Sequence, residues 1–210
     1  MVKTAILVSG GGTNLQAIID AHARGDIKNC ELAAVISSKP DAYALTRAEL
    51  AGISTYVIDR KQYADSTGFS ADIHKLLTKL DIELVALAGF MYVLDAPLVN
   101  AFENRIINIH PALIPAFCGV GFYGLRVHER VLEYGVKITG ATAHFCTAGA
   151  DEGPIILQQS VEVREDDTPQ SLQRRVMEEA EWHILPRAIS LYCERRLEVE
   201  GRRVRIRGEL

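Results

Sequence analysis

Short apolar runs alternate with stretches of helical period through the first half of the chain. KTAILVS (3–9) has the continuous apolar run of a strand buried on both faces, and ELAAVISS (31–38), STYVID (54–59), ELVALAGF (83–90) and RIINIH (105–110) read as the strands that follow it. Between them, TNLQAIIDAHARG (13–25), AYALTRAELAG (42–52), SADIHKLLTKL (70–80) and APLVNAFEN (96–104) predict helices. The first should open with Thr13 or Asn14 near its N-cap and end at Gly25; the second should end at Gly52. Strand, helix, strand at this spacing means βαβ units and a parallel sheet.

The second half changes character. AFCGVGFYG (116–124) is rich in glycine and aromatics and reads as a long loop, and LRVHERVLEYG (125–135) as a helix closed by Gly135. GATAHFCT (140–147) and PIILQQSVEV (154–163) are strands of mixed pattern, expected to be antiparallel neighbours around the polar loop AGADEGP. Thr168 should cap a helix with Pro169 at its first position. Leu172, Val176, Ala180 and Ile184 give that helix one apolar face, and Pro186 should kink it. RLEVEGRRVRIRG reads as a terminal hairpin turning at Gly201. The fold class is therefore α/β: an open, mostly parallel Rossmann-like sheet with antiparallel strands in its C-terminal half.

The 210 residues suit one compact domain, and 48% hydrophobic with 24% charged residues is ordinary for a globular chain. A net charge of −4 does not match the electrostatic footprint of a nucleic-acid binder. The four cysteines, Cys30, Cys118, Cys146 and Cys193, form no CxxC pair, so reduced thiols in a cytoplasmic protein are expected. KTAILVS is too short for a signal h-region, and no run approaches the ~20 apolar residues of a membrane span.

Four stretches carry chemistry. In SGGGTNLQAII, Ser9 to Ile19, three glycines lie between a strand and a helix. There the backbone can approach a ligand and the first helical amides face it, an arrangement that favours an anion such as a phosphate. No Lys follows the glycines, so this is not a nucleotide P-loop; a third Rossmann glycine and a ribose-binding acid are also missing. A tight turn with no ligand is the plainer alternative. In IINIHPALIP, Asn108 and His110 project one pleat apart on the same face, near the end of a strand. Buried polar groups are costly unless paired, and two convergent donors suit an oxyanion. In AGADEGP, Asp151 would orient His110 and raise its pKa if the loop folds over that strand end. In AGFMYVL (88–94) an apolar strand runs into an apolar loop: either core, or one wall of a slot for a flat heterocycle.

SGGGTNLQAII, LAGFMYVL, NIHPALIP and DEGPIILQ, in this order and spacing, resemble the folate-dependent formyltransferase family, in particular its branch that acts on glycinamide ribonucleotide in purine synthesis. The resemblance runs from about residue 3 to about residue 190. It implies a single formyltransferase domain over 1–210, with a phosphate-binding half (1–110), a folate and catalytic half (111–190) and the hairpin (191–210). It implies catalytic roles for Asn108, His110 and Asp151. Gly12, Thr13, Asn14, Gly89, Pro111 and Glu181 would hold the ribonucleotide, with Glu181 on the ribose. Met91, Tyr92, Val93, Leu94, Asn108, Ala148, Ala150 and Asp151 would hold 10-formyltetrahydrofolate, the formyl donor. It also points to Ile114–Pro115 as a cis bond. No metal, nucleic acid or membrane enters the reading, the compartment is the cytoplasm, and monomer and homodimer stay open.

The chain departs from the commoner pattern in three places. Tyr92 stands where many relatives have a basic residue, DSTGFSAD lacks the usual Arg for the folate glutamate tail, and the loop CGVGFYGLRVHE is long. Arg60, Lys61 and Arg126 are candidates for the tail, and His128 is a second histidine near the site. Three other readings compete with this one. A formyltetrahydrofolate hydrolase shares the Asn, His and Asp set but usually carries an N-terminal regulatory domain, whereas here the first strand begins at Lys3. A methionyl-tRNA formyltransferase would want a basic C-terminal domain. A non-catalytic sugar-phosphate-binding module would keep the glycines and have no use for the catalytic trio.

Overall fold

The structure is a computed structural model that describes residues 1–208. Its strands form one nine-stranded sheet: β1 (Val2–Val8), β2 (Cys30–Ser37), β3 (Thr55–Val57), β4 (Leu84–Leu87), β5 (Ile106–His110), β6 (Ile138–Phe145), β7 (Ile155–Glu162), β8 (Leu197–Glu200) and β9 (Arg203–Ile206). The spatial order is β3-β2-β1-β4-β5-β6-β7-β9-β8. The first five strands are parallel, β6 runs antiparallel to β5 and β7, and β9 joins β7 through Ile155 and Arg203. From β1 the chain first builds outward to β2 and β3, then returns to lay β4 on the other side. That reversal opens a crevice at the carboxyl ends of β1 and β4, where open α/β sheets bind ligands.

The central strands β1, β4 and β5 are covered on both faces, which explains their apolar runs, whereas β3 at one edge and β7 to β9 are partly exposed. On β1, Ile6 and Val8 enter one core cluster with Leu15, Ile18 and the C-terminal helices, while Ala5 and Leu7 enter another with Phe69, Ile73 and Leu98. The helices are α1 (Thr13–Ala23), α2 (Tyr43–Leu50), α3 (Ser66–Lys79), α4 (Ala96–Ala101), α5 (Leu125–Tyr134), α6 (Pro169–Val176) and α7 (Trp182–Cys193). Among the described residues no helix is long and apolar enough to cross a membrane.

The helix ends differ in detail from the expected ones. The N-cap of α1 is Gly12, in the left-handed region at φ 73, with Thr13 and Asn14 beside it in the first turn as expected; no side chain caps the helix. Helix α3 begins at Ser66, before the expected start at 70, because the Asp65 carboxylate accepts from the Thr67 and Gly68 amides. The C-terminal helix changes winding upstream of Pro186, in a π-helical turn at Met177–Glu181, and Pro186 lies within α7. Thr168 caps α6 with Pro169 as its first residue, as expected, and Ser171 completes a reciprocal capping pair. The hairpin turns at Gly201 as expected, and its last two residues lie outside those described.

Strand β5 shows how one sequence serves sheet and site. Ile106, Ile107 and Ile109 are buried in the two core clusters. Asn108 pairs across β6 with His144, and His110 with Thr142. The Thr142 hydroxyl donates to the Ala112 carbonyl and accepts from the Ile114 amide, pinning the turn that leaves β5. The following Ile114–Pro115 bond is cis.

Candidate active site

A cavity of about 660 Å³ lies over the crevice. Its walls bring together Gly12, Thr13 and Asn14 after β1; Gly89, Met91, Tyr92, Val93 and Leu94 after β4; Asn108 and His110 on β5 with Pro111 just after it; Ala150 and Asp151 after β6; and Glu181 at the end of the π-helical turn. Ala148 is absent from this lining and stands exposed on the loop surface, and the tail candidates Arg60, Lys61 and Arg126 also lie outside it.

At the cavity floor three elements converge on His110, which is 3% exposed. Its Nδ1 lies 3.5 Å from Asp151 Oδ2. Its Nε2 lies 2.9 Å from the Phe117 carbonyl oxygen and donates to it. The Gly119 amide donates to Asp151 Oδ2 at 2.9 Å. The long loop therefore grips both members of the pair through its backbone, and is itself held by edge-on contacts of Phe117 with Phe122 and Tyr134. Asp151 adopts a left-handed backbone at φ 57. Gly153 lets that loop close, since a Cβ there would collide with the Phe145 carbonyl.

His144 is a functional residue missed from sequence. Its Nδ1 donates to the Phe145 carbonyl at 2.9 Å, which leaves Nε2 of the neutral ring to accept from Asn108 Nδ2 at 3.2 Å. The same Nε2 is 3.6 Å from Asp151 Oδ1, an electrostatic contact too long for a hydrogen bond. His144 thus turns one N–H of the Asn108 amide toward β6 and leaves the other for a ligand.

Asp151 pulls the His110 pKa upward, as expected, and the Phe117 carbonyl does the same, but burial outweighs both and holds the ring below its ordinary value. Burial works against the Asp151 carboxylate, but His144, His110 and the Gly119 amide hold it below the usual range. His128 on α5 is fully buried, with neither ring nitrogen partnered among the described residues, and burial pushes its pKa to about 4.

At the other end of the cavity, α1 begins with no acidic residue in its first turn. Asn14 Nδ2 donates to Glu181 Oε2 at 2.6 Å, across 167 positions of sequence. Glu181 is buried, and loss of solvent raises its pKa to about 7 despite that bond. The two ligand walls are tied together: the Met91 amide donates to Ser9 Oγ at 3.0 Å, and Ser9 and Ser38 hydroxyls meet at 2.7 Å.

A Rossmann-like sheet with an anion-receiving helix start at one end of its crevice and an amide–imidazole–carboxylate cluster at the other defines a small-molecule group-transfer enzyme. The chain matches the formyl transferase family model over residues 2–189 and belongs to that family. A trifunctional purine biosynthetic protein adenosine-3 from Gallus gallus is 41% identical over 198 residues, 94% of this chain and 19% of that protein. The chain thus spans about a fifth of the length of such trifunctional relatives. A phosphoribosylglycinamide formyltransferase from Haemophilus influenzae is 38% identical over 200 residues, 95% of this chain and 91% of that protein. The crystal structure of glycinamide ribonucleotide transformylase 1 from Symbiobacterium toebii superposes with a TM-score of 0.91 at 48% identity, covering 98% of this chain and 94% of that one.

Proposed function

We propose that the protein transfers the formyl group of 10-formyltetrahydrofolate to the amine of 5-phosphoribosylglycinamide, in purine synthesis. The carrying observation is the convergence of Asn108, His110, His144 and Asp151 in one cavity with the start of α1. In this reading the sheet divides the work. Residues 1–110 hold the ribonucleotide phosphate at Gly12, Thr13 and Asn14, and Glu181 accepts from the ribose. Met91 to Leu94 and the loop of Ala150 and Asp151 receive the folate, and Asn108, His110 and Asp151 handle the reacting groups.

The amine attacks the formyl carbon and the carbonyl oxygen becomes an oxyanion. The free N–H of Asn108 points at that oxygen. His110 has its Nε2 hydrogen committed to Phe117, so its open position is Nδ1. As a neutral ring, it takes the proton shed by the attacking amine there, and Asp151 stabilises the resulting imidazolium at once. The same proton then goes to N10 of the folate as the C–N bond breaks, which returns His110 to its starting state. Met91 to Leu94 form the folate wall, with Leu94 buried and Val93 72% exposed, available to stack on a ring.

The test is formyl transfer followed by folate absorbance, with and without glycinamide ribonucleotide. Turnover that requires the ribonucleotide is expected. Folate turnover in its absence would favour a hydrolase, and no turnover in either case a binding module.

A further inference from the structure

The glycine turn after β1 is shaped from outside the cavity by α2. The Gly10 carbonyl accepts from the Ala44 amide at 3.1 Å. The Gly11 carbonyl accepts from Arg47 Nε at 2.8 Å, and Arg47 Nη1 donates to Gln16 Oε1 on α1 at 2.9 Å. The Gly12 carbonyl accepts from the Gln16 amide at 2.9 Å. Three successive carbonyls are therefore drawn toward the two helices. In a planar trans peptide the next N–H points the opposite way. The amides of Gly11, Gly12 and Thr13 are thus turned from the helices toward the cavity these residues line. None of the three finds an acceptor among the described residues. Successive amides on one concave side make an anion-binding nest.

Contact with α2 is close. A Cβ on Gly12 would lie 2.7 Å from Ala44 Cβ and 3.3 Å from Arg47 Cδ. The guanidinium lies 5.0 Å from the centroid of the Tyr43 ring, which fixes its plane. Among the described residues Arg47 is the one side chain that bonds both the turn and α1, and it brings a positive charge behind the nest.

We propose that Arg47 is a positioning residue for the anion-binding turn: its fork holds the Gly11 carbonyl outward so that the Gly12 amide faces a phosphate monoester. The inference rests on the ribonucleotide reading above, because it assigns that nest to the substrate phosphate. It adds that affinity for the phosphate is set from outside the cavity, by a residue that never touches the reacting carbon.

The experiment measures ribose 5-phosphate binding by calorimetry and steady-state kinetics on the full chain. For Arg47→Ala, loss of a charged hydrogen bond behind the nest should weaken ribose 5-phosphate binding about tenfold and raise the ribonucleotide KM by a similar factor. The kcat and the folate KM should change little, the signature of lost ground-state binding. Arg47→Lys keeps the charge but cannot bridge Gly11 and Gln16, so it should recover only part of the loss. Full recovery with Lys would overturn positioning in favour of simple charge. Gln16→Ala, which frees the far end of the fork, should shift both constants in the same direction and serves if Arg47→Ala melts early. If wild type binds ribose 5-phosphate and Arg47→Ala and Gln16→Ala bind it equally well, the Arg47 inference fails while the function stands. If wild type neither binds ribose 5-phosphate nor transfers formyl, the parent reading fails and this one with it.

Discussion

Nε2 of His110 donates to the carbonyl oxygen of Phe117 at 2.9 Å, so a backbone atom of the long loop decides which ring nitrogen carries the proton in the neutral state. Nδ1 is left as a lone pair 3.5 Å from the Asp151 carboxylate. That arrangement gains most when a proton arrives at Nδ1, although burial favours the neutral ring. The site is therefore poised to accept a proton and pass it on.

Replacing Asp151 by Asn removes the neighbour that raises the His110 pKa and leaves burial opposed more weakly. His110 should lose its proton at lower pH than in wild type, as read by NMR of the ring carbons. Turnover should fall by about a hundredfold or more, the usual worth of a positioned proton-transfer group. An unmoved His110 titration would mean that the carboxylate does not act on the ring.

His144→Phe tests the amide orientation. Without an acceptor across the strand pair, the Asn108 amide loses its fixed rotamer while the strand register persists. Loss of one such hydrogen bond predicts about a tenfold drop in kcat with the KM values nearly unchanged. A rise in the ribonucleotide KM with normal kcat would place His144 in substrate binding instead.

The parallel half of the sheet was legible because strands covered on both faces must be apolar throughout, and each helix between them shows its own period. The Asn108–His110 pair stood out for the same reason: polar residues in an Ile-rich strand contradict the local pattern. His144 carried the same signal, in GATAHF, and becomes visible once β6 is laid antiparallel to β5 with His144 opposite Asn108. Pairing partners across 36 residues cannot be read from periodicity. The backbone contacts of Phe117 and Gly119 were beyond reach for another reason: any residue supplies a carbonyl or an amide, so composition does not mark them. The winding change at Met177–Glu181 was likewise hidden, because Leu172, Val176, Ala180 and Ile184 keep an apolar face through it.

On the proposed reading, Glu181 should couple ribonucleotide binding to proton release. The buried acid holds its proton to about pH 7, whereas an exposed glutamate loses it near 4.5. The folded chain binds more protons than the unfolded one across this window, so this group's contribution to stability falls as pH rises from 4.5 through 7. Ribose hydroxyls placed there would donate to the carboxylate and favour its ionised form. At pH 6, binding should therefore release about one proton at Glu181. Calorimetry in two buffers of different ionisation enthalpy measures the release. Glu181→Gln retains any proton change of the phosphate itself, so equal release from wild type and variant would remove Glu181 from the binding step.

His128 predicts an acid limit on stability. Its pKa falls from 6.5 to about 4 on folding because the ring is buried with no partner. Below pH 6.5 the unfolded chain takes up a proton that the folded chain refuses until about pH 4, so stability is lost as pH falls through that window. The full shift corresponds to about 3 kcal/mol at 1.36 kcal/mol per pKa unit. His110, also lowered by burial, adds in the same direction. His128→Leu keeps a side chain of similar volume at the site and removes the titrating group. Urea unfolding at pH 7.5 and pH 5 should show wild type losing more stability than His128→Leu; equal losses would mean that water or a nearby group satisfies the imidazole and the cost of burial is not stored there.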